Sequence, residues 1–237
     1  MAGQYIDIRA RDGSGSFRAY LATPPSGKGP AIVVAQEIFG INPFIRDVAD
    51  HYAAQGYVVA APDLFWRQQP GVELGYTESD WQQAFKYMQG FSQDKGVDDI
   101  AATVDALRQR PDVDGKVGCV GFCLGGKMAY LTACRVDVAV SVGYYGVGIE
   151  NNLGEAERIK GHLVLHIAEN DKFVPPEAQK KIVDALKSKP NVTLYTYPGV
   201  DHAFARPPSE HYDEKSAKLA NQRTLDAFRQ HLGSGGR

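Results

Sequence analysis

This 237-residue chain has almost no excess of charge: 26 Lys and Arg stand against 28 Asp and Glu, a net charge of -2. No basic run of five or more residues occurs, so there is no electrostatic case for nucleic acid or an anionic membrane as partner. Cysteine is scarce as well. Three residues, an odd number without regular spacing, do not make a disulfide framework, and Cys119-x3-Cys123 lacks the further paired Cys or His that would complete a metal site. No stretch approaches the ~18 apolar residues of a membrane span, and the amino terminus lacks a charged start followed by an apolar segment. A cytoplasmic enzyme is the expectation.

What the chain does have is ordinary globular composition, 43% hydrophobic and 23% charged, with no repeat, low-complexity tract or interdomain linker. The expectation is one α/β domain over 1–237 with a frayed tail at 233–237. Tyr5 to Arg9 and Phe17 to Ala22 alternate around Asp12-Gly13-Ser14-Gly15 and read as an antiparallel hairpin. Apolar runs at 31–35, 57–61, 117–120, 138–142, 163–168 and 193–197 read as further strands, most of them covered on both faces. Helical patterns lie between them at 43–55, 79–89, 97–110, 124–133 and 175–187, with a last one at 216–231. Strands alternating with helices predict a doubly wound, mostly parallel sheet, in which ligand chemistry gathers at the carboxyl ends of the strands.

Gly121-Phe122-Cys123-Leu124-Gly125 is the G-x-S-x-G nucleophile elbow with Cys in place of Ser, a strand-to-helix turn so tight that its centre is strained and its flanks must be small. Cys123 at a helix amino end is placed for thiolate chemistry, and the amide of Leu124 can donate to a developing oxyanion. The pentapeptide alone is weak, because a buried Cys is commonly a core residue; the flanking strand and helix strengthen it. Cys119 and Cys134 read as such core residues.

Glu37, Cys123, Asp171 and His202 fall at strand ends. The chain order nucleophile, acid, His is that of α/β-hydrolases. His202 is the proposed base and Asp171 the carboxylate that orients it. The plainer readings are a solvated loop histidine beside Asp201 for His202 and a helix-capping or loop carboxylate ahead of Pro175 for Asp171. His166, inside a strand, reads as a satisfied core histidine, whereas His51, His162, His211 and His231 read as helix or loop surface residues.

Gln36-Glu37-Ile38-Phe39-Gly40, Gly121 to Gly126, Gly143-Tyr144-Tyr145-Gly146 and His202-Ala203-Phe204-Ala205-Arg206 together resemble the dienelactone hydrolase family over essentially the whole chain. The resemblance implies an α/β-hydrolase fold, a Cys123, His202 and Asp171 triad, and hydrolysis of an enol-lactone, 4-carboxymethylenebut-2-en-4-olide, to maleylacetate. It also implies that Glu37 governs the thiol state of Cys123, that the amides of Ile38 and Leu124 form the oxyanion hole, and that neither metal nor organic cofactor is used.

Substrate recognition departs from the family pattern, in which two arginines and a serine hold the lactone carboxylate. Arg206 matches one arginine; Trp81 stands where the other would be and Ala203 where the serine would follow the His. A charged hydrogen bond is worth roughly 1.5–3 kcal/mol, so part of a carboxylate clamp is missing. A site lined by Trp81, Phe85, Met88, Tyr144 or Phe39 would suit neutral esters and lactones, although these side chains are equally compatible with core packing. The alternatives are therefore a broad carboxylesterase with side activity on phosphotriesters and, from another class, a non-catalytic thiol redox sensor. A monomer or weak homodimer taking a small lactone or ester is expected.

Overall fold

Residues 31–35 are apolar without alternation because both faces of their strand are covered: every residue of β3 (Gly29–Ala35) and of β4 (Val58–Pro62) is buried. The computed structural model describes residues 3–233. The expectation for the tail 233–237 thus falls, Gly233 apart, outside the described residues. The chain forms two compact units, one holding the described residues up to Val117 with Gly233, the other Gly118–Leu232.

In the first unit, β1 (Gln4–Arg9) and β2 (Ser16–Ala22) make the expected antiparallel hairpin, with Tyr5 opposite Tyr20. β2 continues antiparallel onto β4, and β4 runs parallel to β3. α1 (Pro43–Ala54) starts where the Asn42 side chain accepts from the Ile45 amide and Pro43 supplies a fixed φ. α2 (Glu78–Gln89) opens on a capping box between Thr77 and Asp80. α3 (Gln93–Arg108) begins four residues before the predicted start at Val97, because the Ser92 hydroxyl caps the Lys95 amide and carries the helix through Gly96.

In the second unit the latter half of β5 (Val113–Phe122) is followed by β6 (Val140–Tyr144), β7 (His162–Ala168) and β8 (Val192–Tyr197), each parallel to the one before. α4 (Leu124–Arg135), α5 (Pro176–Leu186) and α6 (Glu214–Leu232) connect and flank them. A 3-10 segment at Ile149–Arg158, where no element is predicted, buries only Ile149 and Ala156; its three-residue turn gives no 3.6-residue apolar period. The class is the predicted mixed α/β with mostly parallel strands. Since β5, β7 and β8 share one direction, the loops bearing Cys123, Asp171 and His202 leave the same edge. No helix among the described residues is long and apolar enough to cross a membrane.

Candidate active site

Cys123 has φ 58° and ψ -114° between β5 and α4, the strained conformation predicted for the centre of the elbow. The flanking glycines explain how the turn closes. A Cβ on Gly121 would lie 1.9 Å from the carbonyl oxygen of Gly125, so only hydrogen fits there. The Cys123 amide donates to the Tyr144 carbonyl (3.0 Å) and its carbonyl accepts from the Gly126 amide (3.0 Å), which tie the elbow to β6 and start the helix. Leu124 is the first residue of α4, and its amide belongs to the group for which a helix has no internal acceptor.

Asp171 follows β7. Its Oδ1 accepts from the amides of Phe173 (2.8 Å) and Val174 (3.3 Å), and its Oδ2 lies 2.8 Å from His202 Nδ1. Asp171 does not cap α5, whose start after Pro175 has no side-chain cap; one oxygen binds the loop amides and the other faces the His202 ring. His202 follows β8 and is 5% exposed, not a solvated loop side chain. The next residue, Ala203, has φ 62°, so the chain turns sharply behind the ring. Burial opposes a charge on His202, but the charge and hydrogen bond of Cys123 and the carboxylate of Asp171 outweigh it and raise the imidazole well above its usual range. The imidazole is thus hydrogen-bonded to the Asp171 carboxylate, and Cys123 acts on it as well.

Two residues that the sequence reading did not single out frame this ring. Tyr145 sits edge-on at 5.0 Å between centroids, and Phe173, 45% exposed, at 4.8 Å. Strand alternation separates Tyr145 from Tyr144. Tyr144, the last residue of β6, is wholly buried and its hydroxyl contacts Thr224 (2.6 Å) and Asn221 (3.0 Å), whereas Tyr145, one step beyond the strand, reaches the imidazole. Arg206 is buried at 6% exposure, and its amide donates to the Ala203 carbonyl.

The remaining candidates lie in the first unit. Glu37 and Ile38, directly after β3, are 1% and 2% exposed. Phe39 packs edge-on against both Tyr76 and Trp81 at 4.8 Å, and Trp81 meets Phe85, 40% exposed, at 5.6 Å. Tyr76 extends this cluster from the loop before α2, where no periodic pattern marks it.

Burial pushes the Cys119 thiol up to about 12 and that of Cys134 to about 11. Neither is suited to resolve an oxidised Cys123, which weighs against a redox sensor. Among the described residues, no three His, Cys, Asp or Glu side chains are grouped to hold a metal ion.

The sequence model described as "Dienelactone hydrolase family" matches residues 17–232. The chain belongs to the dienelactone hydrolase family. It is 39% identical over 227 residues to a carboxymethylenebutenolidase of Pseudomonas putida, covering 95% of this chain and 96% of that one. A protein of Azospirillum brasilense that carries the same enzyme name provisionally is 46% identical over 231 residues, 96% of this chain and 99% of its own. The crystal structure of a Klebsiella pneumoniae protein, provisionally named dienelactone hydrolase, superimposes with a TM-score of 0.82 at 26% identity, over 97% of this chain and 100% of that one. The fold of this family member is accordingly the α/β-hydrolase fold.

Proposed function

We propose that this family member is a cysteine hydrolase of enol-lactone and ester bonds, with 4-carboxymethylenebut-2-en-4-olide, hydrolysed to maleylacetate, as its leading substrate. The mechanism is supported by the 2.8 Å contact of His202 Nδ1 with Asp171 Oδ2 and by the raised imidazole, on which Cys123 and Asp171 both act. His202 takes the thiol proton while Asp171 holds the tautomer and balances the imidazolium. The sulfur attacks the carbonyl carbon, and the resulting oxyanion accepts hydrogen bonds from the amides of Leu124 and, as the family resemblance implies, Ile38. Collapse breaks the ring C–O bond, leaving a thioester on Cys123 and an enolate that returns as the ketone with the proton from His202. Water, deprotonated by His202, then cleaves the thioester and regenerates the thiol.

The role of Glu37 as a control on the thiol, and of Arg206 as the anchor of the substrate carboxylate, belong to the same proposal. So do a single domain, a cytoplasmic location, a monomer or weak homodimer, and independence from cofactors, nucleic acid and membrane. A second reading, a carboxylesterase for neutral esters, is supported by Ala203, which follows His202 and offers no hydroxyl to a substrate carboxylate.

Turnover of the dienelactone beside p-nitrophenyl acetate, for wild type and Cys123→Ala, tests the proposal. Preference for the dienelactone with both activities lost in the variant is the expected result. Turnover of the neutral ester alone selects the second reading, and a fully active variant removes Cys123 as nucleophile.

A further inference from the structure

Asp201 precedes the proposed base and reads from sequence as no more than its neighbour. Its Oδ1 accepts from the amide of His202 (2.6 Å) and from the amide of Lys172 (3.2 Å), the residue after Asp171. One carboxylate oxygen thus joins the loop after β7 to the loop after β8 at the two positions where the catalytic acid and base sit. Its other oxygen, Oδ2, lies 3.2 Å from Lys172 Nζ and 3.8 Å from His211 Nδ1, with the side chain 16% exposed. Burial acts against the ionised carboxyl, but the two amides, the Lys172 ammonium and His211 outweigh it and hold it below the usual range.

The same two loops are laced elsewhere. Asn170 N–H donates to the Val200 carbonyl (2.9 Å), and Gly199 N–H donates to Glu169 Oε2 (2.9 Å). Those bonds stop short of the imidazole. Asp201 alone of these groups grips the backbone of His202 itself, next to Ala203, which turns the chain at φ 62°.

We propose that Asp201 is a positioning residue for hydrolysis: by bridging the amides of Lys172 and His202, it fixes the distance between the Asp171 carboxylate and the His202 ring. The inference rests on the triad proposed above. A base held loosely still binds no substrate, so its displacement lowers kcat and leaves KM in place. A displacement of an ångström can cost on the order of a hundredfold.

The test compares Asp201→Ala and Asp201→Asn with wild type and Cys123→Ala. It reads kcat and KM for p-nitrophenyl acetate and the rate of iodoacetamide alkylation of the Cys123 peptide at neutral pH. Asn keeps an amide-accepting oxygen and loses the charge. Asp201→Ala is expected to lose about ten- to a hundredfold in kcat, with KM unchanged within about twofold and slower alkylation, while Asp201→Asn stays within about threefold of wild type. An Ala variant within about twofold of wild type in kcat, or an Asn variant no better than Ala, overturns the inference. If Asp201→Ala does not fold, Asp201→Leu, which likewise lacks an acceptor for the two amides but keeps the side-chain bulk, replaces it under the same limits. A dead Cys123→Ala beside an unaffected Asp201→Ala refutes Asp201 alone, whereas an active Cys123→Ala refutes the triad.

Discussion

His202 Nδ1 lies 2.8 Å from Asp171 Oδ2, with 6% and 1% of the two side chains exposed. A carboxylate held that close and that dry fixes which imidazole nitrogen carries the proton and leaves the other free to work on the thiol. Asp171→Asn keeps the shape but lets the amide present a donor to Nδ1, which selects the wrong tautomer. Steady-state kinetics on p-nitrophenyl acetate should show kcat reduced by about 10³–10⁴. A loss below about tenfold would contradict the orienting role.

His166 carries a pH signature of its own. It is 1% exposed, with Nδ1 at 2.8 Å from Tyr197 Oη and Nε2 at 3.0 Å from Thr224 Oγ1, the satisfied core histidine expected. Burial, reinforced by the Arg223 charge, lowers it from 6.5 to about 3. The unfolded chain therefore takes up a proton that the folded chain refuses between those two values. Stability present above 6.5 is lost as the pH falls toward 3. Urea midpoints at neutral pH and near pH 5 should show wild type losing more stability than His166→Gln, by up to ~1.4 kcal/mol per pH unit. Equal losses would mean that the ring accepts a proton in the fold.

Gly121→Ala places a methyl 1.9 Å from the Gly125 carbonyl oxygen. That oxygen belongs to the first turn of α4 and cannot retreat without opening the elbow. Denaturant unfolding is expected to show a loss of at least ~3 kcal/mol, or no soluble protein. A change within about 1 kcal/mol would show that the elbow relaxes.

Arg206→Gln separates recognition from chemistry. Losing a charged hydrogen bond to the lactone carboxylate should raise KM for the dienelactone about tenfold or more, with p-nitrophenyl acetate hydrolysis little changed. Because Arg206 is only 6% exposed, the midpoint of thermal unfolding is measured beside it. Equal losses on both substrates would assign Arg206 to the scaffold.

Where local chemistry sets an element, the sequence is a good guide. The apolar run at 31–35, the hairpin around Asp12 to Gly15, and the glycines around Cys123 each admit one conformation, and each is found. The tight turn at Cys123, and the positions of Asp171 and His202 after β7 and β8, are legible because strand ends can be read from local pattern. What escapes is what depends on a third dimension. His162, read as a surface residue, stacks on His231 at 4.4 Å, a pairing between β7 and the last turn of α6 that no local pattern encodes. Tyr145 and Phe173 come to the imidazole through two separate loops, and Asp201 accepts from the amide of Lys172, 29 residues away in the chain.

If Cys123 carries the acyl group, intact-protein and peptide mass spectrometry of the enzyme acid-quenched during turnover of p-nitrophenyl acetate will find it there. One acetyl group on the peptide containing Cys123, absent in Cys123→Ala, is the predicted result. Turnover with no acetylated enzyme, or acetyl carried by another residue, would contradict it.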